Sequence, residues 1–569
     1  MRVRSPSVSD GYEESFSSSP SFANRNVELA AYAHDSDASV FLPKSVTLSH
    51  VEEPKEDVVE THEHGKQTVD AAGAWISQAW RFLVQPFRWI SMLCRELDGT
   101  FVFGVMVVYG ISQGIGYALS RVVVDYYWRD VQGKEPSTVQ FYRGITVIPW
   151  DVKPLYGLLT DLLPFFGYHR RPYFILAGLI TLSTYLSLVL GGKFLASTAL
   201  AMFVGASAAA AIADVTIDAL VAMKSREKPE LGTHIQSLCG SCSSIGSLSG
   251  FLLSGLAVHI FGSQGALGVM IVPGILLLIL GFTINEPRLP RHLWRSGQVG
   301  KQMKQACSTM WATLKIPQVW QPTIYMYLSW ALSPDISEGK FYWYNDFVVG
   351  PGFSEEFVGV IYAMGSVGTL LGVGIYHKYL RHWTFRTLLM WAQVLLALSG
   401  MLDLVMVTRV NRKLLIPDTV FAVVDEGVSS AIGRIKWMPL LVLAARLCPP
   451  GIEGTFFALL MSIDNLGTLS SSWVGSVILR LTGIRRTNFQ FLWLTVLIRN
   501  GMRLLPLPFL FLVPNTDPEQ PLLPPDILGY AEPTLHDVLE GESEDEEDTE
   551  TVKLAVLAPP SGDNQVEHP

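Results

Sequence analysis

Asp214 and Asp218 stand four residues apart in Ala213-Asp214-Val215-Thr216-Ile217-Asp218, within an otherwise apolar stretch. On a helix this spacing puts both carboxylates on one face. Two buried acids with few cations near them in sequence gain proton affinity from burial and mutual repulsion, so either could exchange a coupling proton. The alternative is that each pairs with an Arg or Lys of a neighbouring helix. A second charged set, Arg143, Asp151, Lys153 and Asp161, surrounds Pro149-Trp150-Asp151-Val152-Lys153-Pro154. Trp150, Lys153 and Gly157 share a helix face, so Lys153 could meet an anion beside an aromatic wall, while Asp151 points elsewhere. Asp151 and Lys153 could instead pair with other helices. Pro149 and Pro154 free backbone carbonyls that can line a polar cavity.

Two further sets lie nearer the C-terminus. Asp425, Glu426, Arg434 and Lys436 precede Trp437-Met438-Pro439. Asp425, Ser429, Ile432 and Lys436 follow one helical stripe, and Arg434 faces away from Lys436. The other set breaks at Ser333-Pro334-Asp335 and continues through Glu338 and Lys340 into Phe341-Tyr342-Trp343-Tyr344-Asn345. Flat rings such as Tyr342 could stack on a planar solute, or Trp343 and Tyr344 could form an interfacial aromatic belt.

The elements that must position these groups follow from composition. The chain has 569 residues, 49% hydrophobic and only 16% charged, with a mean hydropathy of +0.30; a soluble domain carries about 25% charged residues. Apolar runs recur at the ~20 residues a helix needs to cross a bilayer. They fall at about 100–120, 139–162, 172–191, 195–223, 236–261, 266–285, 320–347, 357–378, 384–407, 418–445, 455–480 and 488–513. The expectation is an all-α membrane protein with about twelve spans in two six-helix bundles, 100–285 and 320–513. Between them lies a basic loop, 286–319, carrying Arg288, Arg291, Arg295, Lys301, Lys304 and Lys315. Its charge places it in the cytoplasm, together with both chain ends. The Pro229–Thr233 and Gly451–Thr455 stretches, each followed by a Gly- and Ser-bearing run, suggest a faint repeat of one half in the other.

Charge is divided unevenly along the chain. Residues 1–95 hold 9 Lys+Arg against 13 Asp+Glu, and 515–569 hold 1 against 15, so the middle carries a net +9 within a total of −9. A basic excess spread over loops is not a phosphate-binding stripe, which excludes a nucleic-acid partner and leaves a small solute and the lipid bilayer. Residues 1–73 and 514–569 should be disordered acidic tails, the first Ser-rich. Residues 74–99, with Trp75, Trp80, Phe82, Phe87 and Trp89 beside Arg81 and Arg88, read as an interfacial segment. No apolar stretch after Met1 suggests a cleavable signal, and acids at Asp10, Glu13, Glu14, Glu28, Asp35 and Asp37 argue against a plastid transit peptide. Cys239-x2-Cys242 and the Gly/Ser run from Gly240 to Gly255 read as close helix packing rather than a metal site. No P-loop, metalloprotease motif or nucleophile elbow is present, so nothing points to an enzyme.

Two stretches carry a resemblance. Ile148-Pro149-Trp150-Asp151-Val152-Lys153-Pro154-Leu155-Tyr156-Gly157, continuing to Asp161 and Gly167-Tyr168-His169-Arg170-Arg171-Pro172-Tyr173, is similar to the signature of the folate-biopterin transporters, a branch of the major facilitator superfamily. Trp437-Met438-Pro439 followed by Ala444-Ala445-Arg446-Leu447-Cys448-Pro449-Pro450-Gly451-Ile452-Glu453-Gly454-Thr455 agrees, and the plant-type members resemble it most. The resemblance implies secondary transport of folates or pterins, without a bound cofactor. It also implies a cytoplasmic gate formed by Gly157, Asp161, Gly167, Arg170 and Arg171. The Asp161-to-Gly167 spacing is wider than usual for the superfamily and contains Pro164.

From charge placement, Lys153, Lys436 or Arg434 could take the anionic tail of a folate. Asp214, Asp218 or Asp425 could take the pterin edge or a proton, with Glu426 a further coupling candidate. The rival readings are a carrier for another organic anion or a neutral solute, and a non-transporting receptor or scaffold. Buried charge disfavours the last, because a scaffold has no use for its cost.

Overall fold

The computed structural model describes residues 84–515 apart from 193, 289–303, 305–307 and 449–452. The expected tail 1–73, all but the first two residues of the expected tail 514–569, the 74–83 part of the interfacial segment and most of the basic loop lie outside the described residues. So does Pro449-Pro450-Gly451-Ile452, and the Asp161 side chain is likewise not described.

Helix α1 (84–97) precedes α2, Gly99–Val131, which runs without a break through two widened π-helical stretches. Then come α3 (Pro136–Asp151), α4 (Lys153–Leu162), α5 (Arg171–Leu190), α6 (Ala196–Glu227), α7 (Gly232–Gly265) and α8 (Ile271–Thr283). After the basic loop follow α9 (Pro317–Ala331), α10 (Ser337–Tyr344), α11 (Glu355–Ile375), α12 (Phe385–Val407), α13 (Asp418–Arg446), α14 (Glu453–Leu481) and α15 (Leu492–Met502).

Eight stretches among the described residues are long and apolar enough to cross a membrane. One of them, Pro229–Thr283, has 55 residues and kinks at Gly262, whose φ of 70° suits only glycine. At 1.5 Å per residue it is about 80 Å long, more than twice the ~30 Å hydrocarbon core. Large apolar side chains such as Leu179, Ile260, Phe282, Leu371 and Leu398 face outward, as on helices whose solvent is lipid. The protein is a helical, multi-pass integral membrane protein.

Three expected spans differ in form. The first, expected to end near residue 120, continues to Val131 and so carries Arg121 and Asp125 inside the helix. The second is two helices meeting at Val152. Pro154 has no N–H for the Trp150 carbonyl and disfavours helical geometry at Lys153. The seventh is likewise split into α9 and α10, because Pro334 interrupts the ladder after Ser333. Asp335 rejoins it by accepting from the Ser337 amide at 3.0 Å and donates its own N–H to the Ser471 carbonyl at 3.3 Å.

Glycines set the closest helix contacts. A Cβ at Gly246 would collide with the Gly110 carbonyl oxygen, and one at Gly250 would come within 2.6 Å of the Ile115 carbonyl oxygen, so α2 and α7 touch backbone to backbone. Gly368 against Gly427 does the same for α11 and α13. Gly255 against Glu355, and Gly359 against Phe251, bring α7 onto α11 across the two halves of the chain.

Candidate substrate pathway and its charged clusters

Three elements of the first half converge on Lys153. Placed on α4 just after the break, its ammonium pairs with Asp214 and, at 3.0 Å, with Asp218, both on α6. From α2, Gln113 donates to Asp214 and the Tyr109 hydroxyl to Asp218. Asp214 is fully buried, whereas a quarter of the Asp218 side chain is exposed. Of the two readings open from the sequence, the structure shows the pairing with a lysine of a neighbouring helix. The i, i+4 spacing did put them on one face, and Lys153, some sixty residues earlier, reaches that face because α4 packs on α6. Lys153 lies 6.0 Å from the Trp150 ring centre, so the aromatic wall beside it is present. Asp151 stands apart, with its Oδ1 buried and accepting no hydrogen bond.

The second half treats its cation differently. Lys436 on α13 is completely buried, donates to the Ser329 carbonyl at 2.9 Å and lies 4.0 Å from the centre of the Trp330 ring. No carboxylate lies within 4 Å of it among the described residues. Asp464 on α14 accepts from the Trp330 indole at 2.8 Å and approaches the same aromatic ring from its edge. Arg434 stacks over Trp437 at 4.3 Å, its Nε buried without an acceptor. Cations against indole faces gain roughly 0.5–2 kcal/mol, which offsets only part of the cost of burying them. Each cation thus has its own indole, Lys436 on the side of α9 and Arg434 on the side of α11, where a Cβ at Gly372 would come within 3.0 Å of it. Asp425 and Glu426 are buried on the same helix, and Ser430 donates to Glu426 at 3.0 Å. Glu426 faces α11, where a Cβ at Gly365 would meet its carboxylate at 2.6 Å.

Tyr342 lies elsewhere. It is 2% exposed, and its hydroxyl donates to the Lys134 carbonyl at 2.8 Å. It belongs to a seam where α2 and α3 of the first half meet α10 and α11 of the second. Among the gate residues, the backbone amides of Arg170 and Arg171 donate to Glu286 at 2.9 and 3.0 Å. Arg170 Nη1 also donates to Thr160 at 2.9 Å, and Arg171 Nε to the Ile284 carbonyl at 2.7 Å. Gly167 takes a φ of 83° in the turn before them, and Gly157 faces Val215. This cluster ties the α4–α5 turn to the end of α8, all within the first half.

Sequence reasoning missed several buried charges, among them the partners of Lys340, a residue it did name. Lys340 on α10 pairs with Asp403 on α12, which also binds Arg499 on α15; all three are at most 3% exposed. Asp403 and Arg499 are lone charges in apolar runs, a signal of the same kind as the residues singled out. Asp464, in the expected 455–480 run, is a lone charge of the same kind and was passed over. Arg121 and Asp125 escaped because the first span was ended too early.

Comparison with known proteins fixes the affiliation. Residues 113–520 match the BT1 family. The chain belongs to the BT1 family. Among relatives of this BT1 protein, "Probable folate-biopterin transporter 2" of Arabidopsis thaliana is 49% identical over 472 residues, which is 83% of this chain and 93% of the relative. "Folate-biopterin transporter" of Synechocystis is 32% identical over 421 residues, 74% of this chain and 82% of that one. The nucleoside transporter NupG superposes with a TM-score of 0.54 at 12% identity, covering 73% of this chain and 98% of its own. A D-xylose-proton symporter superposes with 0.51 at 14%, covering 74% and 98%. Those likenesses are of fold alone: this BT1-family chain has the major facilitator type of fold. The family and its structural neighbours are transporters, not enzymes.

Proposed function

We propose that the protein is a secondary transporter that carries folates or pterins across a membrane by alternating access. The observation that supports this reading most directly is the identity of 49% over 93% of a relative named a folate-biopterin transporter. The chemistry is compatible: a folate has a flat pteridine ring, a hydrogen-bonding edge and an anionic tail. Lys436 against Trp330, or Arg434 against Trp437, supplies a cation beside an aromatic face. In this reading Trp150, Asp151, Lys153, Tyr342, Arg434 and Lys436 belong to the pathway, while Asp214, Asp218, Asp425 and Glu426 are the acids available for proton coupling. Gly157, Asp161, Gly167, Arg170 and Arg171 form the cytoplasmic gate. Twelve crossings, six on each side of the basic loop, would leave both acidic tails in the cytoplasm. The test is uptake of labelled folates and of small neutral pterins into vesicles holding the purified protein, with and without a pH gradient. Uptake of neither class rejects the substrate reading.

A further inference from the structure

The seam between the halves holds a charge cluster that neither the motif nor the pathway uses. From the first half come Arg121 and Asp125 on α2, paired with each other, and Arg143 on α3. From the second come Asp335, Ser337 and Glu338 at the start of α10. Arg143 donates to Ser337 at 2.5 Å and lies 3.6 Å from both Asp335 and Glu338; Arg121 lies 3.9 Å from Glu338. Gln140 bridges the same gap, donating to Asp335 at 3.0 Å and accepting from the Glu338 amide at 3.1 Å. Further contacts seal this end: Ser476 donates to the Ser137 carbonyl at 2.6 Å and the Arg486 amide to Glu135 at 3.0 Å.

Two features set Glu338 apart. It has no exposed surface, and neither of its carboxyl oxygens accepts a hydrogen bond. The cluster also does not balance: Asp125, Asp335 and Glu338 face only Arg121 and Arg143. The other titratable groups around it are Tyr117 on α2, Tyr362 on α11, over which Arg121 stacks at 5.4 Å, and Tyr342 on its own helix. None is a further cation, and Lys340 is engaged by Asp403. Arg143 and Arg121 attract an ionised Glu338 from 3.6 and 3.9 Å without hydrogen-bonding it, while the Asp125 carboxylate repels it; the neutral acid relieves that repulsion and leaves the cluster with equal positive and negative charge.

We infer that Glu338 is a proton-binding site built into the seam, loaded when the two halves close on this end and emptied when they part. The inference rests on the alternating-access reading but on no particular substrate. Parting the seam lets water reach the carboxylate and favours its ionised form. The closed state then holds one more proton than the open one, so closure strengthens as pH falls. The closed-to-open ratio changes by up to about tenfold per pH unit.

The test needs no ligand. In full-length protein in vesicles, with the five native cysteines replaced by Ser, Ser476→Cys reports the seam through its labelling by an impermeant maleimide. Val348→Cys, on an exposed loop at the same end, corrects for ionisation of the thiol itself. Relative labelling at the seam should climb with pH in the parent, approaching tenfold per unit. It should be low and flat in Glu338→Gln, and climb again in Glu338→Asp. A flat profile in the parent overturns the proposal, as does an unchanged profile in Glu338→Gln. If Glu338→Gln fails to fold, the profiles of the parent and of Glu338→Asp decide alone, a flat one in either overturning it. Absence of folate and pterin uptake would reject the substrate reading and leave this result standing.

Discussion

Lys153 is bonded to both Asp214 and Asp218, so deleting it takes a cation from a cluster in which Asp214 is fully buried. Breaking a buried pair from one side costs about 3–5 kcal/mol. Lys153→Ala should therefore lower the unfolding temperature in detergent sharply, and Asp214→Asn in the same chain should restore most of the loss. A double variant no more stable than Lys153→Ala would show that the pair does not hold the helices. Lys436 is different, because its partners are a carbonyl and a ring, not an acid. A charged hydrogen bond to a ligand contributes about 1.5–3 kcal/mol, tenfold or more in affinity. Lys436→Ala should weaken folate binding by that factor and leave a small neutral pterin nearly unchanged; equal losses for both would assign Lys436 to packing. The cost of intramembrane charge made most of these residues legible in the sequence. Their pairing was not legible, since it depends on which faces of α4 and α6 meet, and a single sequence carries no record of that register.

At the level of elements, hydropathy located the helices that are apolar throughout and gave the two charged runs 139–162 and 320–347 as single helices, without their breaks. The α3–α4 and α9–α10 pairs are broken by Pro154 and Pro334 and loaded with charge, so they fall outside the stretches apolar enough to cross a membrane. The glycine contacts were legible as close packing, but not which helices they join. That distinction gives opposite outcomes for one chemical change. Gly246→Ala pushes α7 away from α2 inside the first half and should destabilise the protein, a cost of 1–3 kcal/mol being typical of overpacking. Gly255→Ala pushes α7 away from Glu355 across the seam, so strain is relieved simply by parting the halves. Thiol labelling at Ser476→Cys should rise in Gly255→Ala while stability changes little. Equal labelling in the two variants would mean that the α7–α11 contact is not part of the closure.

For the molecule as a whole, topology and motion are linked predictions. With an even number of crossings, tags at Ser5, at Gly562 and in the basic loop should all be reached from the same side of the membrane; opposite labelling of the two ends would make the number odd. The seam then lies at the other face, because the loop 345–354 beside α10 and the loop 131–135 beside α3 are one crossing removed from the basic loop and from the α4–α5 turn. Across that face the first-half groups Arg121, Asp125 and Arg143 sum to +1, and Asp335 brings −1 while Glu338 holds its proton. Attraction between halves thus acts across this end, and under the proposed alternating access it is undone there to admit solute. A short thiol-to-thiol crosslinker joining Ser137→Cys to Ser476→Cys, whose native side chain and backbone touch at 2.6 Å, should hold this end shut. Net uptake and exchange should both stop, reduction of a cleavable linker should restore them, and folate presented from the cytoplasmic face should still bind. Uptake that persists at full crosslinking would mean that solute crosses without the seam parting, and would remove this end of the molecule from the transport cycle.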